Sequence, residues 1–274
     1  MKIEKLFNVR GLTVAVTGGA SGIGLAYAQA LADNGARVTL LDIDRGGLKR
    51  AVAQLKKTGG EVRGEYLDVT DRAAVKRAID EVAKHYGRLD VVFANAGIDP
   101  GPGFMGIDGK RNPAGKFESY PDAMWDKVIA TNLTGVYATI KAAIPHMRKQ
   151  KSGRIIVTTS VASTRPEAII AGSYMAAKAG AAHLVRQLSI EYAPYNILIN
   201  SIAPGAIITN IGGGHARTKP VQKAFTRMTP LGRMAEADEL QGVALFLSSP
   251  ASSFVTGAEF LIDGGMAHGM HLGS

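Results

Sequence analysis

A tyrosine and a lysine lie four positions apart in an alanine-rich segment, at Tyr174 and Lys178. On a helix, positions i and i+4 share one face, so the phenol and the ammonium can be neighbours. A nearby positive charge stabilises the phenolate and lowers the pKa of a tyrosine from its usual value of about 10. A tyrosine with a lowered pKa can act as a general acid or base near neutral pH. The same spacing also occurs in helices with no chemical role. The pair therefore predicts a proton-transfer site only when other motifs of such a site accompany it.

A glycine-rich turn at 17–24 (Thr-Gly-Gly-Ala-Ser-Gly-Ile-Gly) precedes a helical pattern. Its glycines let the backbone approach a pyrophosphate at the positive end of the helix. Asp42 ends the next apolar run, where an acid accepts hydrogen bonds from the adenosine ribose. A carboxylate there repels the 2′-phosphate of NADP, and neither Ile43 nor the turn supplies a cation for that phosphate. The pattern favours NAD. The alternative for the glycines is a plain turn, and the alternative for Asp42 is a helix N-cap or a solvated turn.

Short apolar runs alternate with helical patterns along the chain. Runs that are apolar on both faces and separated by helices predict a parallel sheet with helices on both faces. No linker divides the sequence, so the expected fold class is α/β: a single doubly wound Rossmann-type domain, residues 1–274, with a seven-stranded parallel sheet. The strands are expected at 12–17, 37–42, 61–67, 89–94, 153–159, 197–203 and 259–262.

The composition argues against several other kinds of site and partner. The chain has no cysteine, which excludes disulfides and thiolate metal sites, and its histidines form no metal-ligand pattern. The net charge of +9 would suit nucleic-acid binding, but the basic residues are interleaved with acids and aromatics make up only 6%. Glycines interrupt the uncharged stretch at 11–32, which argues against a signal peptide or membrane span. We therefore expect a cytoplasmic protein without metal, nucleic-acid or membrane partners.

Together these motifs resemble the short-chain dehydrogenase/reductase family, and the resemblance covers nearly the whole chain. Further motifs that carry it follow the predicted strands or lie in the helix between them: Asp68-Val69, Asn95-Ala96-Gly97, Asn132, Ser160 and Pro204-Gly205. The order of these motifs along the chain is that of the family.

The resemblance implies four catalytic residues: Ser160, Tyr174, Lys178 and Asn132. Tyr174 would exchange a proton with the substrate oxygen, and Ser160 would hydrogen-bond that oxygen. Lys178 would lower the pKa of Tyr174 and hold the nicotinamide ribose, and Asn132 would position a water that relays protons to Lys178. Ser160 as a strand-end cap, Asn132 as a helix-kink residue and Asn95 as a sheet stabiliser are the structural alternatives.

The resemblance also implies a set of residues around the NAD cofactor. They include the glycine turn, the ends of the strands and the catalytic pair. In chain order they are Gly18, Ser21, Gly22, Ile23, Gly24, Asp42, Ile43, Asp68, Val69, Asn95, Ala96, Gly97, Tyr174, Lys178, Pro204, Gly205, Ile207 and Thr209.

Two segments depart from the family pattern. The link between Ser160 and Tyr174 (161–173, "the link") is one residue longer than in the commonest members, so we expect it to bulge around Pro166-Glu167. This departure leaves the neighbouring hydroxyls of Thr159 and Ser163 as alternatives to that of Ser160.

The second departure is a long loop at 98–121 ("the long loop"), which is rich in proline and glycine and has no periodicity. We expect it beside the substrate mouth, where it would contribute Ile98, Phe104 or Met105. A surface excursion or a subunit contact is the alternative.

The sequence thus predicts an NAD(H)-dependent oxidoreductase that transfers a hydride to or from a secondary alcohol or ketone. Enoyl reductases of the wider family place the tyrosine and lysine farther apart, which argues against C=C reduction. A sugar or cis-diol dehydrogenase, or an epimerase, is the enzymatic alternative. A non-catalytic NAD-binding protein is the other alternative, and the presence of both Tyr174 and Lys178 argues against it. The resemblance implies a homotetramer, with a dimer as the second choice.

A substrate lid is expected at 206–233, as in the family, with a glycine hinge at 212–214. His215, Arg217 and Lys219 follow the hinge, and no acid occurs between Glu191 and Glu236. We hypothesise that these basic residues attract an anionic substrate. A solvated lid surface is the alternative.

Overall fold

The computed structural model describes residues 2–270, apart from the side chains at 211, 212 and 215. At its centre is a seven-stranded sheet in which every neighbouring pair of strands is parallel. A separate ladder of two short strands lies outside it. In chain order the strands are β1 Thr13–Thr17, β2 Arg37–Asp42, β3 Glu61–Tyr66, β4 Val91–Ala94, β5 Gly153–Thr158, β6 Ile197–Pro204, β7 Ile207–Ile208, β8 Ala235–Glu236 and β9 Glu259–Ile262.

The strand order across the main sheet is β3-β2-β1-β4-β5-β6-β9. The chain therefore winds outward in both directions from the boundary between β1 and β4. The crevice at the carboxyl ends of the strands beside this boundary is where doubly wound folds bind their ligands. The prediction of an α/β fold with seven parallel strands is confirmed, and strand ends differ from the expected ones by no more than two residues.

Helices cover both faces of the sheet. Their bounds are α1 Ile3–Leu6, α2 Gly22–Asp33, α3 Arg45–Lys57, α4 Arg72–Tyr86, α5 Asp122–Ile129, α6 Gly135–Gln150, α7 Gly172–Tyr192, α8 Lys219–Met228 and α9 Gln241–Ser248. Alternate residues of a strand point to opposite faces, so Val14 and Val16 pack with α2, α3 and α9, whereas Ala15 packs with α4, α6 and α7. Among the helices within residues 2–270, none has both the length and the apolar character of a membrane span.

The long loop pairs with the link. Gly103 N donates to the carbonyl of Ile169 at 3.0 Å, and Met105 N donates to that of Ala168 at 3.0 Å. The two segments that depart from the family pattern therefore contact each other through their backbones.

The lid segment begins at β7 and is followed by β8. These strands pair in parallel, with Ile207 opposite Ala235 and Ile208 opposite Glu236. Between them lie a 3-10 segment at Ile211–Arg217 and the helix α8. The ladder holds the two ends of the segment predicted as a lid together, and Ala216, Phe225 and Met228 of its middle pack in a cluster with Leu261 of β9.

Candidate active site

The glycine turn leads from β1 into α2 at the carboxyl edge of the sheet. Gly18 has a φ of 67°, which favours glycine. A Cβ at Gly24 would lie 2.2 Å from the carbonyl oxygen of Gly18, so no side chain fits there without moving the turn. Within the described residues, the N-cap Ser21 makes no side-chain capping bond, and the first turn of α2 carries no acid. Its amides thus have no side-chain acceptor of their own and suit a phosphate.

Asp42, at the end of β2, is oriented by two backbone amides. Ala20 N donates to its Oδ2 at 3.0 Å, and Asp44 N donates to its Oδ1 at 2.9 Å. Because Ala20 belongs to the glycine turn, the first bond fixes the carboxylate relative to the proposed phosphate-binding backbone. Ile43 follows with its side chain exposed beside the same crevice.

Asp68 and Asn95 lie at two other strand ends. Asp68 Oδ1 accepts from the amide and the hydroxyl of Thr70, at 2.9 and 2.7 Å. Asn95 Nδ2 donates to the carbonyl of Thr17 at 3.0 Å, and Asn95 Oδ1 accepts from the hydroxyl of Thr158 at 2.9 Å. Asn95 therefore joins the ends of β1, β4 and β5, which is the sheet-stabilising role that the sequence left open, and it also lines the crevice.

Ser160, Tyr174 and Lys178 meet in the wall of the same crevice. Ser160 follows β5, and its hydroxyl accepts a hydrogen bond from Ala162 N at 3.2 Å. Tyr174 lies in the first turn of α7, and Lys178 follows one turn later. Lys178 Nζ lies 5.6 Å from the centroid of the Tyr174 ring and donates to the carbonyl of Thr158 at 2.6 Å.

Burial dominates the acid–base properties of this pair. It raises the pKa of Tyr174 to about 12, although a hydrogen bond with Ser160 acts to lower the value; the charge of Asp99 raises it further. Burial also lowers the pKa of Lys178 to about 8. The expected lowering of the Tyr174 pKa by Lys178 is thus not produced by the protein's own residues, because removing a phenolate from water outweighs the nearby attractions.

Asn132 is fully buried and lies in a π-helical segment, Ala130–Thr134, between α5 and α6. Its side chain is committed to Ile98: Oδ1 accepts from Ile98 N at 2.8 Å, and Nδ2 donates to Ile98 O at 3.0 Å. The side chain therefore anchors the start of the long loop.

Glu259 of β9 accepts hydrogen bonds from the two hydroxyls that the sequence left as alternatives to that of Ser160. Thr159 Oγ1 donates to Glu259 Oε1 at 2.7 Å, and Ser163 Oγ donates to the same oxygen at 2.8 Å. Each hydroxyl also reaches a backbone carbonyl, that of Ile202 for Thr159 and that of Ser160 for Ser163. Both neighbours are thus bonded within the protein, which leaves Ser160 as the hydroxyl beside Tyr174. No sequence pattern connects Glu259 with these hydroxyls, because it lies about a hundred positions away.

The crevice has a volume of about 650 Å³. Every residue that the sequence predicted around the cofactor lines it, from the glycine turn to Thr209. Lys127, Thr131 and Asn210 also line it and were not predicted. Lys127 and Thr131 are four positions apart, and Thr131 directly precedes Asn132.

The basic lid residues lie apart from this lining. Arg217 is exposed, and its Nε donates at 2.9 Å to Asn210 Oδ1, which belongs to a residue of the crevice. Lys219 is exposed at the start of α8. The side chain of His215 lies outside the described residues. Arg217 therefore reaches the crevice through one intervening side chain.

Comparisons with known proteins cover almost the whole chain. A family model described as Enoyl-(Acyl carrier protein) reductase matches residues 18–267. Levodione reductase of Leifsonia aquatica is 36% identical over 262 residues, which cover 93% of each chain. The 5-keto-D-gluconate 5-reductase of Escherichia coli (strain K12) is 33% identical over 264 residues, covering 96% of this chain and 98% of that protein. The crystal structure of NADPH-dependent 3-quinuclidinone reductase from Rhodotorula rubra has a TM-score of 0.85 and 32% identity, covering 97% and 94%.

The parallel sheet and the glycine turn at its switch point define a fold of the Rossmann type, and the matching family model is that of an oxidoreductase. The chain belongs to the short-chain dehydrogenase/reductase family, whose members bind a nicotinamide cofactor.

Proposed function

We propose that this protein transfers a hydride between NAD(H) and a secondary alcohol or ketone, with Tyr174 as the general acid or base. One observation carries the proposal: Ser160, Tyr174 and Lys178 line the same crevice as the glycine turn and Asp42. The proton-transfer group and the dinucleotide-binding surface are therefore adjacent in one cavity.

The residues present fit a dinucleotide. The α2 N-terminus would receive the pyrophosphate, Asp42 the adenosine ribose, and Lys178 the nicotinamide ribose. When bound, the nicotinamide supplies the hydride donor or acceptor and, in its oxidised form, a positive charge.

Each catalytic residue has a distinct part in this proposal. Tyr174 would give a proton to the carbonyl oxygen in reduction, or take one from the alcohol in oxidation. Ser160, which acts to lower the pKa of Tyr174, would orient the same oxygen. The backbone carbonyl of Asn132 would hold a water on the path to Lys178.

The preference for NAD over NADP rests on Asp42. Asp42→Asn should lower the ratio of kcat/KM for NAD to that for NADP about tenfold or more, because it weakens the ribose contact and removes the charge that repels a 2′-phosphate. Steady-state kinetics with both cofactors measure this ratio.

Asp44→Asn is the matched control. Asp44 caps α3 by accepting from Gly47 N at 2.9 Å and does not line the crevice in the described structure, so the same charge change should leave the cofactor ratio unaltered. A native protein with a clear preference for NADP would contradict the assignment of NAD.

Glu259 has a positioning part in the proposal. Glu259→Ala should lower kcat about tenfold with little change in the KM of the cofactor, because Thr159 and Ser163 lose their common acceptor and the segment that carries Ser160 shifts. Glu259→Gln keeps a carbonyl oxygen at this position and should restore most of the activity. Equal activity of the Ala variant and the native protein, or equally low activity of both variants, would contradict this positioning role.

The substrate class follows from the relatives and the site together. Levodione reductase and 5-keto-D-gluconate 5-reductase are named for ketone substrates, which supports carbonyl chemistry here. The family model is described as an enoyl reductase, but the four-residue spacing of Tyr174 and Lys178 supports C=O over C=C reduction. Sugar ketones and cis-diols remain within the proposal as the second candidate class.

An anionic substrate is a finer hypothesis. It is supported by the contact of Arg217 with Asn210 and by the keto-gluconate specificity in the name of one relative. The lid at 206–233 would close over such a substrate. The family resemblance further supports a homotetramer, and the cytoplasm is the location proposed for it.

A substrate panel followed by NADH absorbance tests the proposed function. The panel contains neutral ketones, keto acids, keto sugars, their alcohols and an α,β-unsaturated thioester. We expect turnover of a ketone and of the corresponding alcohol. Turnover of the thioester alone, or of nothing in the panel at any pH, would overturn the proposal.

A further inference from the structure

A second cavity of about 350 Å³ lies beside the link, and no residue lines both cavities. Its volume falls in the range of small-molecule sites, roughly 300–1,000 Å³. It is lined by the long loop, the link and the first turns of α5 and α7. Both segments that depart from the family pattern thus contribute to one cavity.

Hydrogen bonds fix the walls of this cavity. The long loop and the link pair through their backbones, with Pro102 opposite Ile170 in an isolated antiparallel bridge. The hydroxyl of Tyr120 lies 2.7 Å from the carbonyl of Pro100, to which it donates, and 2.8 Å from the hydroxyl of Ser173. These contacts hold the long loop against α7, so the cavity is a preformed feature of the fold.

Four of the lining residues are aromatic: Phe104, Phe117, Tyr120 and Trp125. Phe117 is 81% exposed, and Phe104 is 45% exposed. Aromatic faces carry partial negative charge and attract organic cations, and several rings around one space form the usual site for a quaternary ammonium.

Glu167 adds a buried acid to this lining. Its side chain is only 2% exposed, and within the described residues its Oε1 has no hydrogen-bond partner. Arg165 Nε lies 3.6 Å from that oxygen, beyond hydrogen-bonding distance, while the Arg165 guanidinium donates to the carbonyl of Met266. Burial raises the pKa of Glu167, and the charge of Arg165 lowers it to a smaller extent. A cation in the cavity would interact with this carboxyl in a wall of low dielectric constant, where attraction is stronger than in water.

We propose that the second cavity binds a small organic cation, an ammonium group with apolar substituents, through its aromatic rings and the Glu167 carboxylate. The apolar substituents pack against the rings, and the positive charge compensates the incompletely paired acid. The site is separate from the hydride-transfer crevice, and the inference does not rest on the proposed function.

Trp125 is the only tryptophan of the chain and lines this cavity, so its fluorescence reports binding there. The full-length protein is titrated with choline and with 3,3-dimethyl-1-butanol (dimethylbutanol), the neutral analogue in which carbon replaces the quaternary nitrogen. Calorimetry with the same two compounds detects any binding that leaves the fluorescence unchanged. We expect choline to bind saturably and about tenfold or more tightly than the neutral analogue.

Glu167→Gln should bring the two affinities close together by weakening choline binding alone. Glu118→Gln is the matched control: Glu118 is an exposed acid of the long loop that ion-pairs with Lys116, and its loss should leave the preference for choline unchanged. Phe117→Leu should also weaken choline binding. Because this ring is exposed, the variant should fold, and it tests the site even if the Glu167 variant misfolds.

Equal affinities for choline and dimethylbutanol in the native protein would overturn the inference, as would a choline preference that survives in a folded Glu167→Gln variant. Absence of choline binding by both fluorescence and calorimetry would do the same. Because the titrations use no substrate, their outcome does not depend on hydride transfer. The Tyr174→Phe variant should bind choline as the native protein does.

Discussion

Tyr174→Phe should lower kcat for alcohol oxidation and for ketone reduction by about 10²- to 10⁴-fold, the usual contribution of a general acid or base. Phenylalanine keeps the ring, which is partly buried in the wall of the crevice, and removes only the hydroxyl, whose pKa Ser160 acts to lower. The KM of the cofactor and the unfolding temperature should therefore change little. Steady-state kinetics in both directions, with thermal unfolding as the measure of folding, test this result.

The pH dependence separates a proton-transfer role from a packing role. Oxidation needs the phenolate, so its kcat should rise with pH, whereas reduction needs the phenol and should slow as pH rises. Burial places the pKa of Tyr174 at about 12 in the protein alone, and the positive charge of oxidised nicotinamide should bring the midpoint for oxidation below that value. The residual activity of Tyr174→Phe should lack this midpoint. Full turnover by the variant, or an unchanged pH profile, would contradict the assignment of Tyr174.

The structure changes the explanation of how this tyrosine is activated. From the sequence, Lys178 was expected to lower the pKa of Tyr174, because i and i+4 residues are neighbours on a helix, and the charge of bound NAD⁺ was expected to add to this effect. The two residues are indeed neighbours, but Lys178 is buried and Tyr174 is partly buried, and burial opposes the charged form of each. Spacing along a helix predicts proximity and does not predict the dielectric environment. The tertiary structure therefore determines the direction of both pKa shifts.

Most of the fold could be predicted from the sequence because its signals are local. Each strand is a short apolar run bounded by polar residues, and the glycine turn lies between the first run and a helical pattern. In a parallel sheet the carboxyl ends of the strands share one edge, so Asp42, Asn95 and Ser160 had to lie near one another once the strand order was known.

The contacts that were missed join positions that are distant in sequence. Glu259 reaches Thr159 from the last strand, and no periodicity connects them. The pairing of the long loop with the link was missed for the same reason, since neither segment has a repeating pattern. Asn132 was expected within a helix and lies in the π-helical segment between α5 and α6, but the partner of its side chain, Ile98, depends on the path of the long loop.

Lys178→Met should lower the activity of the enzyme and raise the stability of its fold. Activity should fall by about 10²-fold or more, because the charge that supports the Tyr174 phenolate and the donor to the nicotinamide ribose are both lost. The protein without added cofactor should instead unfold at a higher temperature than the native protein at pH 7. This gain is expected because the native fold holds a nearly inaccessible ammonium, 3% exposed, whose one described hydrogen bond goes to the carbonyl of Thr158.

The direction of the expected change in stability follows from proton binding by Lys178. Burial lowers the pKa of Lys178 from 10.5 in the unfolded chain to about 8 in the fold. Between these two values the unfolded chain binds a proton that the folded chain does not, so native stability rises with pH across this window and is lower at pH 7. The shift corresponds to about 3 kcal/mol, from which the unsatisfied carbonyl of Thr158 in the variant subtracts about 1–2 kcal/mol.

Thermal or denaturant unfolding of both proteins at pH 7 and at pH 10 measures this difference. The variant should be more stable by about 1–2 kcal/mol at pH 7, and its advantage should shrink or vanish at pH 10, where the native lysine is neutral in the fold. Lys141→Met, a change of the same charge on an exposed side chain of α6, is the control and should show no such pH dependence. A variant that is less stable at both pH values would mean that Lys178 is retained for the fold. The expected result would mean that this buried ammonium is kept at a cost in stability, which is how a residue selected for chemistry differs from one selected for packing.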